Sequence, residues 1–386
     1  MQLTEKLNSF LNKPISTPFL VVDLDVLAHQ YRRLVTAMPN VVCHYSVKSN
    51  SAHAVLEKLF ALGSCFEAAS INEIHACFAA GAKANQIHFG NTIKKISDIE
   101  TAYQLGVQSY AFDCYEELVK LAQYAPGCRV VCRLKNDGKG AHWGLCHKFG
   151  CSLTEAVDFL SRSVLLGLEP YGLSFHVGSQ QQSPDAWHRA LVDARWVADE
   201  LVKQDIKIGL INLGGGYPAS GYLNDSDNEV DYSMEFFGKC ISESLTAIFG
   251  SWSGDLKFIC EPGRYLLAEA GVVKTTVILA CERMLSDQIH RWLYLDVGKF
   301  NGLYEASDIK YPVLHHADQR SDKTSTILTG PTCDSSDMLS YKNHLHHLPF
   351  TIAVGDPLMF CCAGAYSNSY SCKGFNGFEP LAEYYI

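Results

Sequence analysis

The chain has 386 residues, of which 47% are hydrophobic, and it carries a formal net charge of −9. This length and apolar content suffice for a large buried core, arranged as two domains or as one barrel with an appendage. The acidic balance and the lack of a clustered basic face argue against a protein that binds nucleic acid.

Targeting signals and metal motifs are not evident in the sequence. The segment Met1–Lys6 lacks the charged and then apolar pattern of a secretory signal, and no window is long and apolar enough for a membrane-spanning helix. We therefore expect a cytoplasmic protein with no membrane partner.

The fifteen cysteines include no CxxC pair and lie mostly in apolar runs. Buried free thiols are the expectation, and a zinc site is the weaker alternative.

Strand-like and helix-like segments alternate along most of the chain. A strand at 18–23 and an amphipathic helix at 24–36 come first. The predicted strands that follow are 41–48, 64–69, 87–90, 109–113, 128–134, 170–177, 208–214 and 256–261. The predicted helices between them include 71–80, 96–105, 115–124, 153–166, 186–203 and 233–249. Eight strands alternating with helices over roughly 220 residues predict a (β/α)8 TIM barrel.

A second, mostly β domain is predicted after the barrel, because helical periodicity fades near residue 270. Short β-rich runs follow at 272–279, 291–297, 324–328 and 351–353 with 357–362. The strand at 18–23 has no place in the barrel alternation, so we expect it to complete this sheet. The predicted domains are therefore a barrel at 24–270 and a discontinuous β-rich domain at 1–23 and 271–386.

Four predicted barrel strands end in residues suited to chemistry, and the carboxyl ends of barrel strands are where ligands bind. Lys48 ends the first of these strands, and the others end in His176-Val177-Gly178-Ser179, Gly214-Gly215-Gly216 and Glu261-Pro262-Gly263-Arg264. Taken singly, Lys48 is a polar strand end, His176 a core histidine and the glycines a flexible turn. Together at one rim, these groups suggest a site for pyridoxal phosphate. The lysine amine suits its aldehyde, the glycine backbone and the arginine suit its phosphate, and the carboxylate suits its pyridine nitrogen.

Six motifs carry a resemblance to a known family. They are YSVKSN at 45–50, HVGS at 176–179, GGG at 214–216, EPGR at 261–264, GPTCDSSD at 330–337, and GAY at 364–366 with FNGF at 375–378. In this order, and running nearly from end to end, they resemble the alanine-racemase-fold pyridoxal-phosphate decarboxylases, and within them the ornithine decarboxylase branch. The resemblance implies a homodimer with active sites shared across its interface.

The resemblance also implies roles for individual residues. Lys48 is implied as the Schiff-base lysine, His176 as the group stacking on the cofactor ring, and Glu261 as the partner of the pyridine nitrogen. The implied phosphate ligands are Ser179, Gly216, Gly263, Arg264 and Tyr366. Cys333 is implied as the catalytic proton donor from the partner subunit, with Asp334 and Asp296 near the distal amine of the substrate. Read alone, Cys333 is one more buried thiol and Asp296 a turn residue.

The implied activity is decarboxylation of a basic amino acid, L-ornithine to putrescine, with L-lysine to cadaverine as a second activity. Two departures from the family pattern are Glu67, where aspartate is common, and the loop at 140–147. The alternatives that stay open are carboxynorspermidine or diaminopimelate decarboxylase of the same fold, and a non-catalytic regulator similar to the antizyme inhibitors.

Overall fold

The computed structural model describes residues 3–145, 147–252, 255–285, 287–316, 322–340 and 345–386. The chain folds as two compact units. The β-rich unit comprises Met1–Leu27, Ala219–Tyr232 and Arg264–Ile386, and the barrel unit comprises Ala28–Pro218 and Ser233–Gly263. Among the described residues, no helix is long and apolar enough to cross a membrane.

The regular elements follow in chain order. They are α1 (Glu5–Leu11), β1 (Phe19–Val22), α2 (Leu24–Ala37), β2 (Val41–Ser46), α3 (His53–Ala61), β3 (Cys65–Ala68), α4 (Ile71–Ala79), β4 (Ile87–Phe89), α5 (Ile96–Gln104), β5 (Ser109–Phe112), α6 (Tyr115–Tyr124), β6 (Arg129–Arg133), β7 (Ala141–Trp143), α7 (Leu153–Leu165), β8 (Glu169–Ser174), β9 (Ser179–Gln181), α8 (Asp185–Val202), β10 (Leu210–Asn212), α9 (Met234–Phe249), β11 (Lys257–Cys260), α10 (Arg264–Leu267), β12 (Gly271–Leu285), β13 (Gln288–Leu295), β14 (Val313–His315), β15 (Lys323–Thr329), β16 (His346–Pro349), β17 (Pro357–Phe360) and β18 (Ala382–Tyr385).

The barrel unit is built on a closed barrel of parallel strands in the order β10-β11-β2-β3-β4-β5-β6-β8. The barrel closes where β11 pairs with β2, with Cys260 opposite Cys43. The interior residues of the strands are almost all buried, as expected where both faces of a parallel sheet are covered. Ser70, Ser152 and Ser233 cap α4, α7 and α9 through their side-chain oxygens. The (β/α)8 prediction is confirmed.

The β-rich unit contains a sheet in the order β14-β17-β12-β13-β15-β16, to which β1 and β18 are added. Strand β1 pairs antiparallel with β12 and parallel with β18. Its core joins both ends of the chain, since Phe10 of α1, Phe19 of β1 and Tyr384 of β18 pack ring against ring at centroid distances of 5.2 to 6.1 Å. The prediction that an N-terminal strand completes this domain is confirmed.

The segment Ala219–Tyr232 groups with the β-rich unit, although the sequence placed it inside a barrel at 24–270. The reason is a set of bonds to the β-rich unit. Leu223 N–H donates to Lys310 O at 2.8 Å, and the Asp227 carboxylate pairs with the Lys310 ammonium and with His347 Nδ1. Residues 24–27 and 264–270 group with the same unit, where Asp23 N–H donates to Ala270 O at 2.8 Å.

Two local features differ from the sequence prediction. Helix α1 was not predicted, although Thr4 caps it and Leu7, Phe10 and Leu11 bury one face. The predicted strand at 351–353 is wrong: no strand forms there, because Ile352 O instead accepts a hydrogen bond from the Arg291 guanidinium, and the strand lies earlier, at His346–Pro349.

Two histidines in barrel strands generate a prediction about stability in acid. Burial lowers the pKa of His44 in β2 to about 3 and that of His88 in β4 to about 4. In the unfolded chain both are expected near 6.5. The unfolded state therefore binds more protons below that pH. Their contribution to stability is present above about pH 6.5 and is lost as the pH falls toward 4 and then 3.

The variant His88→Asn tests this, because asparagine keeps a polar partner for Ser109 Oγ, which lies 2.8 Å from His88 Nδ1. Between about pH 7 and about pH 4.5, we expect the free energy of unfolding to fall by about 2 kcal/mol more in the wild type than in the variant. Urea denaturation at each pH measures this. His53→Asn, at an exposed position in α3, is the matched control. Equal pH slopes for the wild type and His88→Asn would contradict the prediction.

Candidate active site

Lys48 lies at the carboxyl end of β2, in a single 3-10 turn formed by Val47–Ser49. Asn50 N–H donates to the first residue of this turn at 3.1 Å and closes it. Ser46 N–H donates to Pro262 O at 3.0 Å, which joins the turn to the loop that follows β11. Lys48 is exposed on this fixed backbone. The structure thus places a primary amine at the barrel rim, where the sequence predicted it.

Glu261 follows β11 at the same rim. Asn212, the last residue of β10, donates from Nδ2 to Glu261 Oε1 at 2.6 Å and so orients the carboxylate. Burial and the charge of Glu67 raise the pKa of Glu261 to about 7, although Asn212, Lys48 and Arg133 act in the opposite direction. Asn212 was not predicted as a site residue. Its position at a strand end, like that of Lys48, is the sequence signal that would have found it.

His176 follows β8, and its ring is held in one orientation. Gly178 N–H donates to His176 Nδ1 at 3.0 Å, so a neutral ring carries its proton on Nε2. Burial and the charges of Arg133 and Lys48 keep the pKa of His176 well below its usual value. The imidazole is therefore uncharged at neutral pH. A flat, neutral ring at a strand end is suited to stacking on an aromatic ligand.

The glycine triplet at 214–216 allows backbone contacts that a side chain would block. Gly214 and Gly216 have φ angles of +63° and +100°. A Cβ on Gly214 would lie 2.0 Å from Phe175 O, and one on Gly216 would lie 2.2 Å from Gly178 O. Both positions need glycine, because other residues rarely adopt this conformation and lack the space. The triplet therefore packs directly against the loop that contains Ser179.

Ser179 begins β9, and this strand is paired with the loop that departed from the family pattern. Ala141 and Trp143 of β7 lie opposite Gln181 and Ser179 of β9. Gln181 N–H also donates to Gly216 O at 2.9 Å. Residues 141–143 of this loop therefore pair with β9 in a two-stranded sheet that supports Ser179. Its member Cys146 lies outside the described residues.

Two further charged residues, in β3 and at the end of β6, act on the same group of side chains. Arg133 ends β6, and its charge lowers the pKa of both Glu261 and His176. Glu67, in β3, is buried and accepts a hydrogen bond from Ser46 Oγ at 2.7 Å. A Cβ at Gly90 would lie 2.3 Å from Glu67 Oε1, so glycine there makes room for the longer acid. Arg133 was not singled out from the sequence, although the strand-end criterion applies to it.

Arg264 and Tyr366 lie in the β-rich unit, and the structure brings them together. The Arg264 guanidinium carbon lies 4.8 Å from the centroid of the Tyr366 ring. The guanidinium also forms two hydrogen bonds to the Glu305 carboxylate, at 2.6 and 2.8 Å. Glu305 was not predicted as a site residue, and no motif in the sequence marked it.

Asp296, predicted near the substrate amine, is bonded within the β-rich sheet. Its Oδ1 accepts from Thr275 Oγ1 at 2.5 Å and from Thr276 N–H at 3.0 Å. Its Oδ2 accepts from Thr17 Oγ1 at 2.5 Å. Asp334 has different partners, the N–H and Oγ of Ser336, at 2.8 and 2.7 Å. The two carboxylates are therefore held in different surroundings.

Cys333 is exposed, in contrast to a buried thiol. Its N–H donates to Asn376 Oδ1 at 2.8 Å. The rest of its loop is organised by the buried Asp337, whose carboxylate accepts from the N–H and Oγ1 of Thr332 and from Lys299 N–H. The thiol and the neighbouring Asp334 thus stand on an ordered backbone at the surface of the chain.

Curated relatives match the chain over nearly its whole length. Ornithine decarboxylase of Mus musculus is 30% identical over 398 residues, which cover 100% of this chain and 84% of the relative. Antizyme inhibitor 2 of Xenopus laevis is 32% identical over 379 residues, which cover 95% of this chain and 80% of the relative.

Solved structures also match the whole fold. The lysine/ornithine decarboxylase of Vibrio vulnificus complexed with putrescine has a TM-score of 0.85 and 27% identity, covering 100% of this chain and 99% of the other. The Paramecium bursaria Chlorella virus arginine decarboxylase has a TM-score of 0.87 and 26% identity, covering 99% of each chain.

The barrel rim fits pyridoxal phosphate on two observed features. One is the oriented carboxylate of Glu261, which suits a pyridine nitrogen, and the other is the exposed amine of Lys48 at the same rim, which suits an aldehyde. The family model for the pyridoxal binding domain of pyridoxal-dependent decarboxylases matches residues 24–268. The chain therefore belongs to the pyridoxal-dependent decarboxylases, with pyridoxal phosphate as cofactor, and is similar to the ornithine decarboxylase branch of the alanine-racemase fold.

Proposed function

We propose that this protein decarboxylates a basic amino acid, converting L-ornithine to putrescine in polyamine biosynthesis, with L-lysine to cadaverine as a second activity. The observation that carries the proposal is the set of Lys48, His176 and Glu261 at one barrel rim, in a chain 30% identical to an ornithine decarboxylase over its full length. A cytoplasmic location and assembly as a homodimer are parts of the same proposal.

Lys48 and Glu261 have complementary tasks in this proposal. Bound pyridoxal phosphate supplies a conjugated ring that accepts the electron pair released when the bond to the carboxyl group breaks. Lys48 would hold the cofactor, because its amine is the group suited to bind an aldehyde. Glu261 would pair with the pyridine nitrogen of the cofactor and keep it protonated. Asn212 fixes the orientation of its carboxylate, and a pKa of about 7 lets it share that proton near neutral pH.

His176 and Arg133 set the charge around the proposed cofactor site. The hydrogen bond from Gly178 N–H fixes the His176 ring, and burial keeps the imidazole neutral, so it stacks without adding a second positive charge. Arg133 lowers the pKa of Glu261 and thus favours its anionic form beside the pyridine nitrogen.

The proposed phosphate ligands follow the resemblance and the chemistry of their groups. They are Ser179, Gly216, Gly263, Arg264 and Tyr366. Backbone N–H groups at glycines approach phosphate oxygens closely, and a guanidinium adds charge-assisted hydrogen bonds. The positive φ of Gly216 supports such an approach.

Cys333 is the proposed acid that protonates the α-carbon after carbon dioxide leaves. The thiol is exposed, and its backbone is bonded to Asn376. Both features suit a residue that reaches the active site of a neighbouring subunit. The distal ammonium of the substrate would meet Asp334 on the same loop. Asp296 stays a prediction in this role, and the three donors already bound to its carboxylate count against it.

A non-catalytic regulator is the second candidate, favoured by 32% identity to antizyme inhibitor 2. A regulator has no use for a lysine, an oriented glutamate and a neutral histidine at one rim, and these are present here. Borohydride reduction of the purified protein separates the two. A visible cofactor band that reduction abolishes supports the enzyme, and a protein that stays colourless after addition of pyridoxal phosphate supports the regulator.

The substrate prediction is that L-ornithine and L-lysine release carbon dioxide and meso-diaminopimelate does not. The reason is charge, since Asp334 attracts a distal ammonium and repels a second carboxylate. The measurement is carbon dioxide release from a panel that also includes L-arginine and carboxynorspermidine. Turnover of diaminopimelate or carboxynorspermidine without turnover of ornithine or lysine would overturn the assignment.

For Lys48→Ala we expect turnover to fall by at least about 10³-fold with little change in thermal stability, because the exposed amine takes part in chemistry and not in packing. Steady-state kinetics and a melting curve measure the two effects. Lys83→Ala, at an exposed turn of the same unit, is the matched control and should keep full activity. Activity of Lys48→Ala near the wild-type level would refute the role of the lysine.

Shared active sites generate a complementation prediction. Mixing inactive Lys48→Ala protein with inactive Cys333→Ala protein should restore activity, because one site of each mixed dimer has both groups intact. With random exchange, about half the dimers are mixed and half their sites are whole, so roughly a quarter of wild-type activity returns. Mass measurement verifies the exchange. If exchange occurs and activity does not return, Cys333 either works within its own chain or is not the acid.

A further inference from the structure

A buried ion pair in the β-rich unit involves the proposed phosphate arginine. Arg264 is 5% exposed and Glu305 is 8% exposed. Arg264 Nη1 donates to Glu305 Oε2 at 2.6 Å, and Nη2 donates to Oε1 at 2.8 Å. Both carboxylate oxygens thus bind one edge of the guanidinium. This two-bond arrangement is the strongest that an arginine and a carboxylate form.

Two tyrosines also contact the guanidinium. The Tyr366 ring centroid lies 4.8 Å from the guanidinium carbon, and Nη1 donates a hydrogen bond to Tyr222 Oη at 3.5 Å. An arginine has five N–H donors, and Glu305 takes two of them. A phosphate that binds Arg264 therefore approaches a cation that already has an anionic partner.

The backbone fixes Glu305 in this position. It lies in the 3-10 turn Tyr304–Ser307. Its carbonyl accepts from the N–H groups of both Asp308 and Ile309, at 2.9 and 2.8 Å. The side chain is therefore presented from an ordered turn within the β-rich unit. Since a buried cation without a partner is strongly destabilising, Glu305 lets the chain fold around a charged Arg264 without help from a bound phosphate.

We propose that Glu305 is an internal counter-anion of Arg264 that weakens the binding of the cofactor phosphate. The inference rests on the proposed function, in which Arg264 is a phosphate ligand.

Two effects of Glu305 on phosphate binding oppose each other. Its two hydrogen bonds orient the guanidinium, which favours binding, and its charge neutralises the arginine and repels a phosphate monoester carrying about 1.5 to 2 negative charges. Glutamine at 305 separates the two effects. It keeps the length of the side chain and one acceptor oxygen, so one of the two hydrogen bonds to the guanidinium can remain while the charge is lost.

The test compares the binding of pyridoxal phosphate with that of pyridoxal, which lacks the phosphate. We expect Glu305→Gln to bind pyridoxal phosphate about tenfold more tightly than the wild type, with pyridoxal affinity unchanged within about twofold. Quenching of tryptophan fluorescence measures both dissociation constants. Asp308→Asn removes an exposed carboxylate at the end of the same turn and is the matched control, with no expected change.

A second readout covers the case in which the cofactor-free variant is unstable. Glu305→Gln purified with its cofactor should release pyridoxal phosphate about tenfold more slowly than the wild-type holoenzyme on dilution. The melting temperature should rise more on cofactor binding in Glu305→Gln than in the wild type. Unchanged or faster release, or weaker binding of pyridoxal phosphate, would overturn the inference.

Arg264→Gln separates failure of the inference from failure of the proposed function. If this variant binds pyridoxal phosphate as tightly as the wild type, Arg264 is not a phosphate ligand and both ideas fail. If it loses affinity for pyridoxal phosphate but not for pyridoxal, while Glu305→Gln gains none, then the arginine has its proposed role and only the role of Glu305 is wrong.

Discussion

Closure of the barrel between β11 and β2 is the contact on which the candidate site depends. These strands lie far apart in the chain, and their pairing sets Cys260 opposite Cys43. Beyond the paired residues, the bond from Ser46 N–H to Pro262 O continues the contact to the rim. A Cβ at Gly263 would lie 3.0 Å from Ser49 Cβ, so glycine permits this approach. Backbone pairing therefore brings Lys48 and Glu261 to one rim, and this placement does not depend on contacts of their own side chains.

Opposing influences set the ionisation of the carboxylate at the rim. Burial and Glu67 raise the pKa of Glu261, and Asn212, Lys48 and Arg133 lower it, leaving a value of about 7. At an effective dielectric constant of roughly 20, two unit charges about 5 Å apart interact by about 3 kcal/mol. That energy corresponds to about two pKa units. A charge at such a distance is enough to change whether a carboxylate is ionised near neutral pH, and Lys48 and Arg133 both favour the ionised form of Glu261.

Much of this arrangement could be predicted from the sequence, because it follows from local patterns. Alternating strands and helices predict a barrel, and a barrel fixes which residues share a rim. Contacts that depend on tertiary structure could not be predicted in this way. The bond from Asn212 to Glu261 joins two strand ends, and Ala219–Tyr232 leaves the barrel because of bonds to Lys310. The missing strand at 351–353 likewise reflects the hydrogen bond from Arg291, which no local pattern shows.

Acidic residues show most clearly why residue type alone does not fix a role. Asp296 matched a family position, yet its carboxylate is bound by Thr17, Thr275 and Thr276. Those donors stabilise the carboxylate charge. Moving the carboxylate toward a substrate ammonium would leave partly buried hydroxyl and amide groups without this acceptor. Glu305 matched no motif, yet it is bonded to the arginine on which the proposed phosphate site depends. In both cases the partners of the carboxylate, and not its position in a motif, determine which ligand it can influence.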